Sequence, residues 1–130
     1  MAYEPKSFLR VKRSRAGLGL FTERDIKKGE FVVEYTGEVI TRAEANRRGG
    51  KYLFETSANR VIDGKGRGNI ARYINHSCRP NCEVDIRRGR ILIFAKRNIK
   101  AGEELSYDYG KEYFEDHIAP VGCRCKRCRP

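Results

Sequence analysis

The chain has 130 residues, of which 35% are charged and 39% are hydrophobic, and its formal net charge is +11. This length predicts one domain with a modest core and no second folded module. No apolar run approaches the roughly 20 residues that span a bilayer, and no signal-peptide segment follows Met1, so we expect a soluble intracellular protein. The excess of lysine and arginine predicts attraction to phosphate backbones or acidic surfaces, although these residues also serve simply to keep small domains soluble.

The first distinctive pattern in the chain is Gly17-Leu18-Gly19, which precedes Leu20 and Phe21. Two glycines alone are weak evidence for a nucleotide site, because that fingerprint requires a third glycine that opens a helix. The residues that follow favour a strand instead. An ordinary glycine turn is therefore the alternative interpretation at this stage.

Residues 20–30 and 93–103 repeat one another. In each copy apolar strand residues lead into a Lys-x-Gly-Glu turn, where glycine supplies the positive φ that such turns often need. A second strand follows each turn, at residues 31–35 and 104–109, and Gly37 and Gly110 close the two copies in register. The sequence therefore predicts one supersecondary unit that is used twice.

Local signals also predict one hairpin and two short helical segments. Thr41 and Glu44 fit a capping box, and Gly49 with Gly50 ends that helix. Residues 69–75 can form one more short helical turn. Residues 82–86 and 90–94 flank a loop at 87–89, which is typical of a hairpin. Together these elements predict a mainly β domain with several short strands and few short helices.

Five cysteines are an odd number, which argues against a complete disulfide framework. Three of them, Cys123, Cys125 and Cys128, lie within six residues, a density that suits tetrahedral Zn²⁺. A structural site needs a fourth ligand, and the remaining candidates are Cys78, Cys82 and, less favourably, His117. A reduced, metal-free basic tail is the alternative, and Cys82 also fits a small buried thiol at the start of a strand.

Two longer motifs resemble a known family. The run Arg72-Tyr73-Ile74-Asn75-His76-Ser77-Cys78-Arg79-Pro80-Asn81 resembles the R-F-I-N-H-S-C-x-P-N signature of SET-domain protein methyltransferases, and residues 104–109 resemble the E-L-x-Y-D-Y strand of the same domain. The resemblance covers about residues 8–128. It implies short twisted sheets around a knot-like crossing near the C-terminus. It also implies an N-terminal tail at 1–6, a SET domain at 7–116 and a cysteine-rich post-SET-like tail at 117–130.

The resemblance implies S-adenosylmethionine as methyl donor and structural Zn²⁺. The cofactor-binding residues that it implies are Gly17, Leu18, Gly19, Tyr52, Arg72, Tyr73, Asn75 and His76. Of these, Asn75 and His76 are expected to hold the ammonium and the adenine, whereas Tyr52 is almost as well explained as a core aromatic residue. The resemblance selects Cys78 as the fourth zinc ligand, although the tail spacing here is C-x-C-x2-C rather than the family's C-x-C-x4-C.

The implied reaction is an in-line attack of a neutral lysine amine on a sulfonium methyl group. Free lysine has a pKa of about 10.4, and desolvation beside a positive sulfonium lowers it, so positioning matters more than a strong base. Tyr35 and Tyr109 match the family's active-site tyrosines, and two buried core tyrosines are the alternative. Tyr107 stands where the family carries phenylalanine or tyrosine, and tyrosine indicates mono- or dimethylation. We expect Asp108 to make buried hydrogen bonds rather than to act as the base.

The expected substrate is a histone or another basic, DNA-associated protein. A basic enzyme gains little from attraction to a basic peptide, so its charge is better explained if the substrate lies on nucleic acid. This predicts non-specific nucleic-acid contact and a location in chromatin, or in a bacterial cytoplasm. The alternatives are a zinc-stabilised nucleic-acid-binding module without catalysis, and a SET-like domain that binds lysine tails without turnover. In the nucleic-acid-binding module, the residues that contact phosphates would be Arg47, Arg48, Lys126, Arg127 and Arg129.

Overall fold

A computed structural model describes residues 8–15 and 17–110. In this part of the chain the fold is mainly β, as the sequence predicts, with one α-helix, α1 (Arg42–Arg48), and one 3-10 turn (Ile70–Tyr73). The strands are β1 (Leu9–Ser14), β2 (Gly17–Thr22), β3 (Phe31–Tyr35), β4 (Glu38–Ile40), β5 (Leu53–Ser57), β6 (Arg60–Asp63), β7 (Asn75–His76), β8 (Cys82–Arg87), β9 (Arg90–Ala95) and β10 (Ser106–Tyr107).

The strands form four small sheets. Two of them have three strands, in the orders β3-β9-β8 and β4-β6-β5. The other two are the antiparallel β1-β2 pair and the parallel β7-β10 pair. None of the described helical residues forms a helix that is long and apolar enough to cross a membrane. The predicted crossing near the C-terminus involves the segment before Cys123, which lies outside the described residues.

The two sequence repeats contact each other directly. Ile26 and Ile99 exchange backbone hydrogen bonds of 2.8 Å in both directions. The Asp25 carboxylate accepts a hydrogen bond from the Ala101 N–H at 2.9 Å, and the side-chain oxygen of Asn98 accepts one from the Lys28 N–H at 2.9 Å. Each turn is therefore closed by a side chain of the other copy.

The pairing extends into the strands on either side of the turns. The Thr22 N–H donates to the Glu103 carbonyl at 3.1 Å, and the Ala95 N–H donates to the Glu30 carbonyl at 2.9 Å. Glycine at the turns is required by the backbone, since φ is +85° at Gly29 and +92° at Gly102. The two copies thus form one interlocked unit around the larger of the two apolar clusters in the described part of the chain.

Helix α1 begins and ends where the sequence predicts. The Thr41 hydroxyl accepts a hydrogen bond from the Glu44 N–H at 3.1 Å, and Gly49 ends the helix with a φ of 64°. Glu44 differs from a capping-box residue because its carboxylate pairs with Arg47 at 2.5 Å and with Arg48 at 2.7 Å. Hydrogen bonds from these two arginines lower the pKa of Glu44 to about 2. The helix covers a small second apolar cluster that includes Ala45.

The β8–β9 hairpin has a shorter loop than predicted. Arg87 belongs to β8, and only Arg88 and Gly89 connect the strands, with φ values of 52° and 76°. Two successive residues with positive φ are typical of the type I′ turn, whose twist matches that of the flanking strands. The hairpin therefore begins its turn one residue later than the sequence pattern indicates.

The main core contains buried residues of β2, β3 and β9 and of the segment 99–107. Leu20, Ile91, Ile93 and Leu105 are completely buried there, and each contributes about 1.5–3 kcal/mol through removal of its side chain from water. Because this core underlies β7 and β10, it supports the strands that carry the two signature motifs.

Candidate active site

The parallel β7-β10 pair brings the two signature motifs into contact. Asn75 is paired with Ser106, and His76 is paired with Tyr107. The Ser77 N–H extends the ladder by donating to the Tyr107 carbonyl at 3.2 Å. Motifs that are about 30 residues apart in sequence therefore form one local surface.

A buried asparagine holds the second motif in place. Asn81, which is 3% exposed, accepts a hydrogen bond from the Ser106 N–H at 2.9 Å and donates one to the Glu104 carbonyl at 2.9 Å. The side chain therefore replaces a backbone strand neighbour on both sides of Leu105. Sequence reasoning did not assign Asn81 a role, although its place at the end of the first motif was a usable signal.

Five rings form a continuous aromatic row through this surface. Ring centroids are 5.3 Å apart for Tyr35 and Phe54, 6.4 Å for Phe54 and Tyr107, and 4.9 Å for Tyr107 and Tyr109. His76 continues the row at 5.5 Å from Tyr109. The structure thus brings together the three tyrosines that the sequence analysis selected. Phe54 was missed, although it lies in the same Tyr-Leu-Phe run as Tyr52.

Two of these tyrosines use their hydroxyl hydrogens on backbone carbonyls. The Tyr35 O–H donates to the Tyr52 carbonyl at 2.8 Å, and the Tyr109 O–H donates to the Ile74 carbonyl. A phenol oxygen that donates its hydrogen retains lone pairs that can accept hydrogen bonds. Both hydroxyls are therefore oriented as acceptors at the two ends of the tyrosine row.

His76 is neutral and fixes the backbone of Tyr109. Its side chain is 6% exposed, and burial lowers its pKa, with a smaller opposing effect from the Asp108 carboxylate 3.8 Å away. Its Nδ1 accepts a hydrogen bond from the Tyr109 N–H at 3.1 Å, which requires an unprotonated Nδ1. The expectation that Asp108 makes buried hydrogen bonds is wrong, because its side chain is 60% exposed and accepts a bond from the Gly110 N–H.

The glycine-containing segment lies against Asn75. The Asn75 side-chain nitrogen is 2.9 Å from the Leu18 carbonyl, 2.9 Å from a Glu104 carboxylate oxygen and 3.2 Å from the Ser14 hydroxyl. A Cβ at Gly19 would lie 2.3 Å from that carboxylate oxygen and 2.9 Å from the Ser14 Cβ, so a side chain there would displace the Glu104 carboxylate. Gly17, with a φ of 103°, and Gly19 both lie in β2, so the ordinary glycine turn that was the alternative interpretation is not what this segment forms.

Arg72, Tyr52 and Tyr73 form a stack beside the first motif. The guanidinium carbon of Arg72 lies 5.1 Å from the Tyr52 ring centroid and 4.8 Å from that of Tyr73. The same group donates to the Tyr73 hydroxyl at 2.9 Å and to the Lys65 carbonyl at 2.6 Å. Its Nε is buried and has no partner among the described residues. These three predicted cofactor residues therefore lie together.

The backbone around Tyr35 is held by a second buried asparagine. Asn69, which is 3% exposed, accepts a hydrogen bond from the Thr36 N–H at 3.0 Å and donates one to the Gly64 carbonyl at 3.0 Å. The Gly64 N–H in turn donates to the Tyr52 carbonyl at 2.8 Å. The same carbonyl also accepts the hydrogen bond from the Tyr35 hydroxyl. A cleft of about 400 Å³ beside Tyr35 is lined by residues that include Thr36, Glu38, Asp63 and Asn69.

The two described cysteines occupy different environments. Cys78 is half-buried, with its Sγ 3.4 Å from His76 Nε2, whereas Cys82 is 1% exposed at the start of β8. Burial raises the pKa of Cys82 to about 12, which disfavours the thiolate that a metal requires. Within residues 8–15 and 17–110 no cluster of three or more possible metal ligands is present. Cys123, Cys125, Cys128 and His117 lie outside the described residues, so the zinc site stays a prediction.

The Cys82 thiol is expected to resist alkylation in the folded protein. A rise in pKa from 9.0 to about 12 lowers the thiolate fraction near pH 8 by roughly 1,000-fold. Peptide mapping by mass spectrometry after iodoacetamide treatment should therefore find Cys82 unmodified in buffer and modified in urea. Equal labelling rates under the two conditions would contradict the buried environment described for this residue.

Comparison with known proteins identifies the same family as the two signature motifs. The model of the SET domain family matches residues 17–110. The match begins at the first glycine of β2, includes both signature motifs and ends at the glycine that follows Tyr109. All of the elements that contribute to the aromatic row therefore lie within the matched region.

Several curated proteins are similar to nearly the whole chain. The histone-lysine N-methyltransferase trithorax of Drosophila virilis is 46% identical over 95% of this chain, which covers 4% of that protein. Histone-lysine N-methyltransferase 2D of Homo sapiens is 39% identical over 97% of this chain and 2% of its own length. An H3 lysine-4 specific histone-lysine N-methyltransferase of Schizosaccharomyces pombe is 42% identical over 86% of this chain and 14% of its own length. With the family match across both motif strands, these similarities establish that the chain belongs to the SET domain family.

Proposed function

We propose that this chain is a protein-lysine N-methyltransferase that uses S-adenosylmethionine. One observation carries the proposal: the tyrosine row meets a polar group at the β7-β10 pair. This group, the Asn75 pocket, consists of Asn75 with Ser14, Leu18 and Glu104 around its side-chain nitrogen. An acceptor-lined aromatic passage suits an amine, and a pocket of backbone and amide groups suits the amino-acid end of the cofactor. The names of the relatives support the same activity.

The residues at the pocket fit the cofactor. The Leu18 carbonyl and the Asn75 amide face each other at 2.9 Å, and Gly19 leaves the space beside them without a side chain. We propose that Gly17, Leu18, Gly19 and Asn75 hold the methionine end. His76, Tyr52, Arg72 and Tyr73 are proposed to line the remainder of the pocket. When bound, S-adenosylmethionine supplies an electrophilic methyl group.

The tyrosines are proposed to orient the attacking amine. The oxygens of Tyr35 and Tyr109 can accept the amine N–H bonds because their own hydrogens are committed to carbonyls. Accepting those bonds directs the nitrogen lone pair away from the hydroxyls and along the aromatic row. Alignment of this kind can supply about 7–11 kcal/mol of a reaction barrier in favourable cases.

Loss of the lysine proton does not need a strong base at this site. His76 is a poor candidate for the base, because its Nδ1 already accepts the Tyr109 N–H and burial lowers its pKa. A buried aromatic environment disfavours an ammonium that has lost its water, so the amine gives its proton to solvent water as it enters. The proposed role of the site is therefore positioning and desolvation.

We propose a histone, or another basic protein associated with DNA, as the substrate, and chromatin as its location. The printed names of the relatives describe histone-lysine methyltransferases. The cleft lined by Thr36, Glu38, Asp63 and Asn69 begins one residue after Tyr35, and we propose it as the place for the residues that flank the target lysine. The net charge of +11 is consistent with a substrate that lies on nucleic acid.

We propose that residues 117–130 form a cysteine-rich post-SET-like tail after a SET domain at 7–116. Cys78 would complete one structural Zn²⁺ site with Cys123, Cys125 and Cys128. The chemistry of the donors supports Cys78 over Cys82, because only Cys78 is accessible enough to reach ligands from another segment. Such a site would connect the tail to β7 and to the aromatic row.

Cofactor binding tests the proposed function. Calorimetry on zinc-loaded protein is expected to show saturable binding of S-adenosylmethionine that is abolished by Asn75→Ala, because that change removes the amide between Leu18 and the first motif. Chelation of zinc is expected to weaken the same binding. Absence of binding to the zinc-loaded wild-type protein would favour the nucleic-acid-binding module instead.

Tyr107→Phe is expected to raise the final methylation state from mono- or dimethyl to trimethyl. Tyr107 lies at the centre of the aromatic row, 4.9 Å from Tyr109, and is 5% exposed. Its hydroxyl can retain a water in the space that a bulkier methylated amine needs. Mass spectrometry of peptide products over time measures the change, and identical product series for the two proteins would contradict it.

A further inference from the structure

Glu104 is a partly buried carboxylate without a cationic partner among the described residues. Every other partly or fully buried carboxylate in residues 8–15 and 17–110 lies within 4.0 Å of an arginine nitrogen. These carboxylates are Glu30, Glu34, Glu44, Asp63, Asp85 and Glu103. In a chain with 28 lysines and arginines, a half-buried carboxylate without one is unusual. The exception lies at the Asn75 pocket.

The carboxylate of Glu104 accepts one hydrogen bond among the described residues, from Asn75, whereas an ionised carboxylate can accept about four. Three oxygens, from Glu104, Leu18 and Ser14, converge on the side-chain nitrogen of Asn75 at 2.9, 2.9 and 3.2 Å. An amide nitrogen carries only two hydrogens, so it cannot serve three acceptors at once. The arrangement is therefore suited to an additional cationic donor.

We infer that Glu104 is the anionic ligand for the primary ammonium of the bound methyl donor, and this inference rests on the proposed function. A primary ammonium has three N–H donors, which matches a set that combines a carboxylate, a carbonyl and a hydroxyl. Bonds between ions of opposite charge are about twice as strong as neutral ones. Glu104 thereby determines affinity for the amino-acid end of the cofactor.

The neighbouring groups favour an ammonium over a metal ion. The Asn75 nitrogen points hydrogens into the same space, and hydrogens repel a metal cation while leaving room for shared hydrogen bonds. Divalent cations such as Mg²⁺ and Ca²⁺ also require about six or more oxygen ligands. Gly19 allows the carboxylate to approach β2, since a Cβ there would lie 2.3 Å from the carboxylate oxygen.

The position of Glu104 does not depend on its charge. Its carbonyl accepts a hydrogen bond from Asn81 at 2.9 Å, and its backbone forms an antiparallel bridge with Phe21. Glu104→Gln keeps the side-chain length and both backbone contacts while it removes the negative charge. Glu83→Gln is the matched control, because Glu83 is exposed on β8 and has no ion pair in the described part of the chain.

Calorimetry with two ligands tests the inference. The first ligand is S-adenosylhomocysteine, and the second is the same molecule with hydrogen in place of its amino group. Glu104→Gln is expected to weaken binding of the first ligand by about 10- to 100-fold and to leave the affinity for the second unchanged. Glu83→Gln is expected to alter neither affinity.

The outcomes separate this inference from the proposed function. Equal weakening for both ligands would assign Glu104 a structural role and overturn the inference, as would unchanged binding of S-adenosylhomocysteine by Glu104→Gln. In either case the wild-type protein still binds the cofactor analogue, so the proposed function stands. A wild-type protein that binds neither ligand would overturn both.

Discussion

Replacing Tyr109 by phenylalanine is expected to lower kcat by about 100- to 1,000-fold, the range found when one well-placed hydrogen-bonding group is removed from an active site. The change removes the hydroxyl that donates to the Ile74 carbonyl and is proposed to accept an N–H of the amine. It leaves the ring in place between Tyr107 and His76. The loss should therefore fall on kcat, with KM for the peptide nearly unchanged.

The measurement is the initial rate of methyl transfer to a histone peptide at saturating cofactor. Cofactor affinity serves as a control, because the ring contacts remain. The thermal unfolding midpoint is measured alongside it, since loss of the bond to the Ile74 carbonyl is expected to cost about 1–3 kcal/mol of stability. Tyr35→Phe is a useful comparison, since that hydroxyl donates to the Tyr52 carbonyl at the other end of the tyrosine row. Full activity of Tyr109→Phe would contradict its proposed place beside the amine.

Asn81→Ala is expected to lower the free energy of unfolding by about 2–4 kcal/mol, because it leaves two partly buried backbone groups without their partner. These groups are the Ser106 N–H and the Glu104 carbonyl, each 2.9 Å from the asparagine side chain. Single domains are stable by only about 5–15 kcal/mol, so the loss is a large fraction of the total. The β10 segment would lose its alignment with β7.

Urea denaturation followed by circular dichroism measures this effect. Asn81→Asp should be intermediate, because a carboxylate still accepts from the Ser106 N–H but cannot donate to the Glu104 carbonyl. Asn46→Ala is the control, since Asn46 is exposed within α1 and alanine favours helix. Similar stabilities for Asn81→Ala and Asn46→Ala would show that the buried hydrogen bonds contribute little.

The sequence predicted features that depend on neighbouring residues. The Thr41 cap, the Gly49 helix end and the turns at Gly29 and Gly102 all follow from residues within one turn of each other. The mainly β class also agrees with the structure, and Tyr35, whose catalytic role stays a prediction, lies in the aromatic row. Short-range chemistry therefore accounts for the secondary-structure elements and for the caps and turns that end them.

Contacts between distant segments were the ones that the sequence did not reveal. Phe54 joins Tyr35 to Tyr107 only because the β4-β6-β5 sheet packs beside β10, and no pattern within β5 indicates that neighbour. Glu104 and Asn75 are separated by 29 residues, and their contact depends on the register of the β7-β10 pair. A shift of that register would remove the contact without altering any local signal.

Strand pairing also explains why the segment 17–19 forms a strand rather than a turn. Glycine is depleted in strands, so Gly17 and Gly19 favoured a loop on local grounds. Both nevertheless pair with β1, Gly17 with Ser14 and Gly19 with Lys12, and the Glu104 carboxylate occupies the space where a side chain at Gly19 would lie. Strand pairing thus outweighs the local preference.

The mutual closure of the two repeats has a consequence for how a newly made chain folds. Asp25 and Ala101 are 76 residues apart, and Lys28 and Asn98 are 70 residues apart, so neither turn has its closing partner until most of the domain has left the ribosome. Contacts at such separations slow folding, because a long loop must be ordered first. The first repeat therefore lacks its partners until residues 95–105 have been synthesised, and we expect the scaffold and the adjoining β10 strand to form late and together.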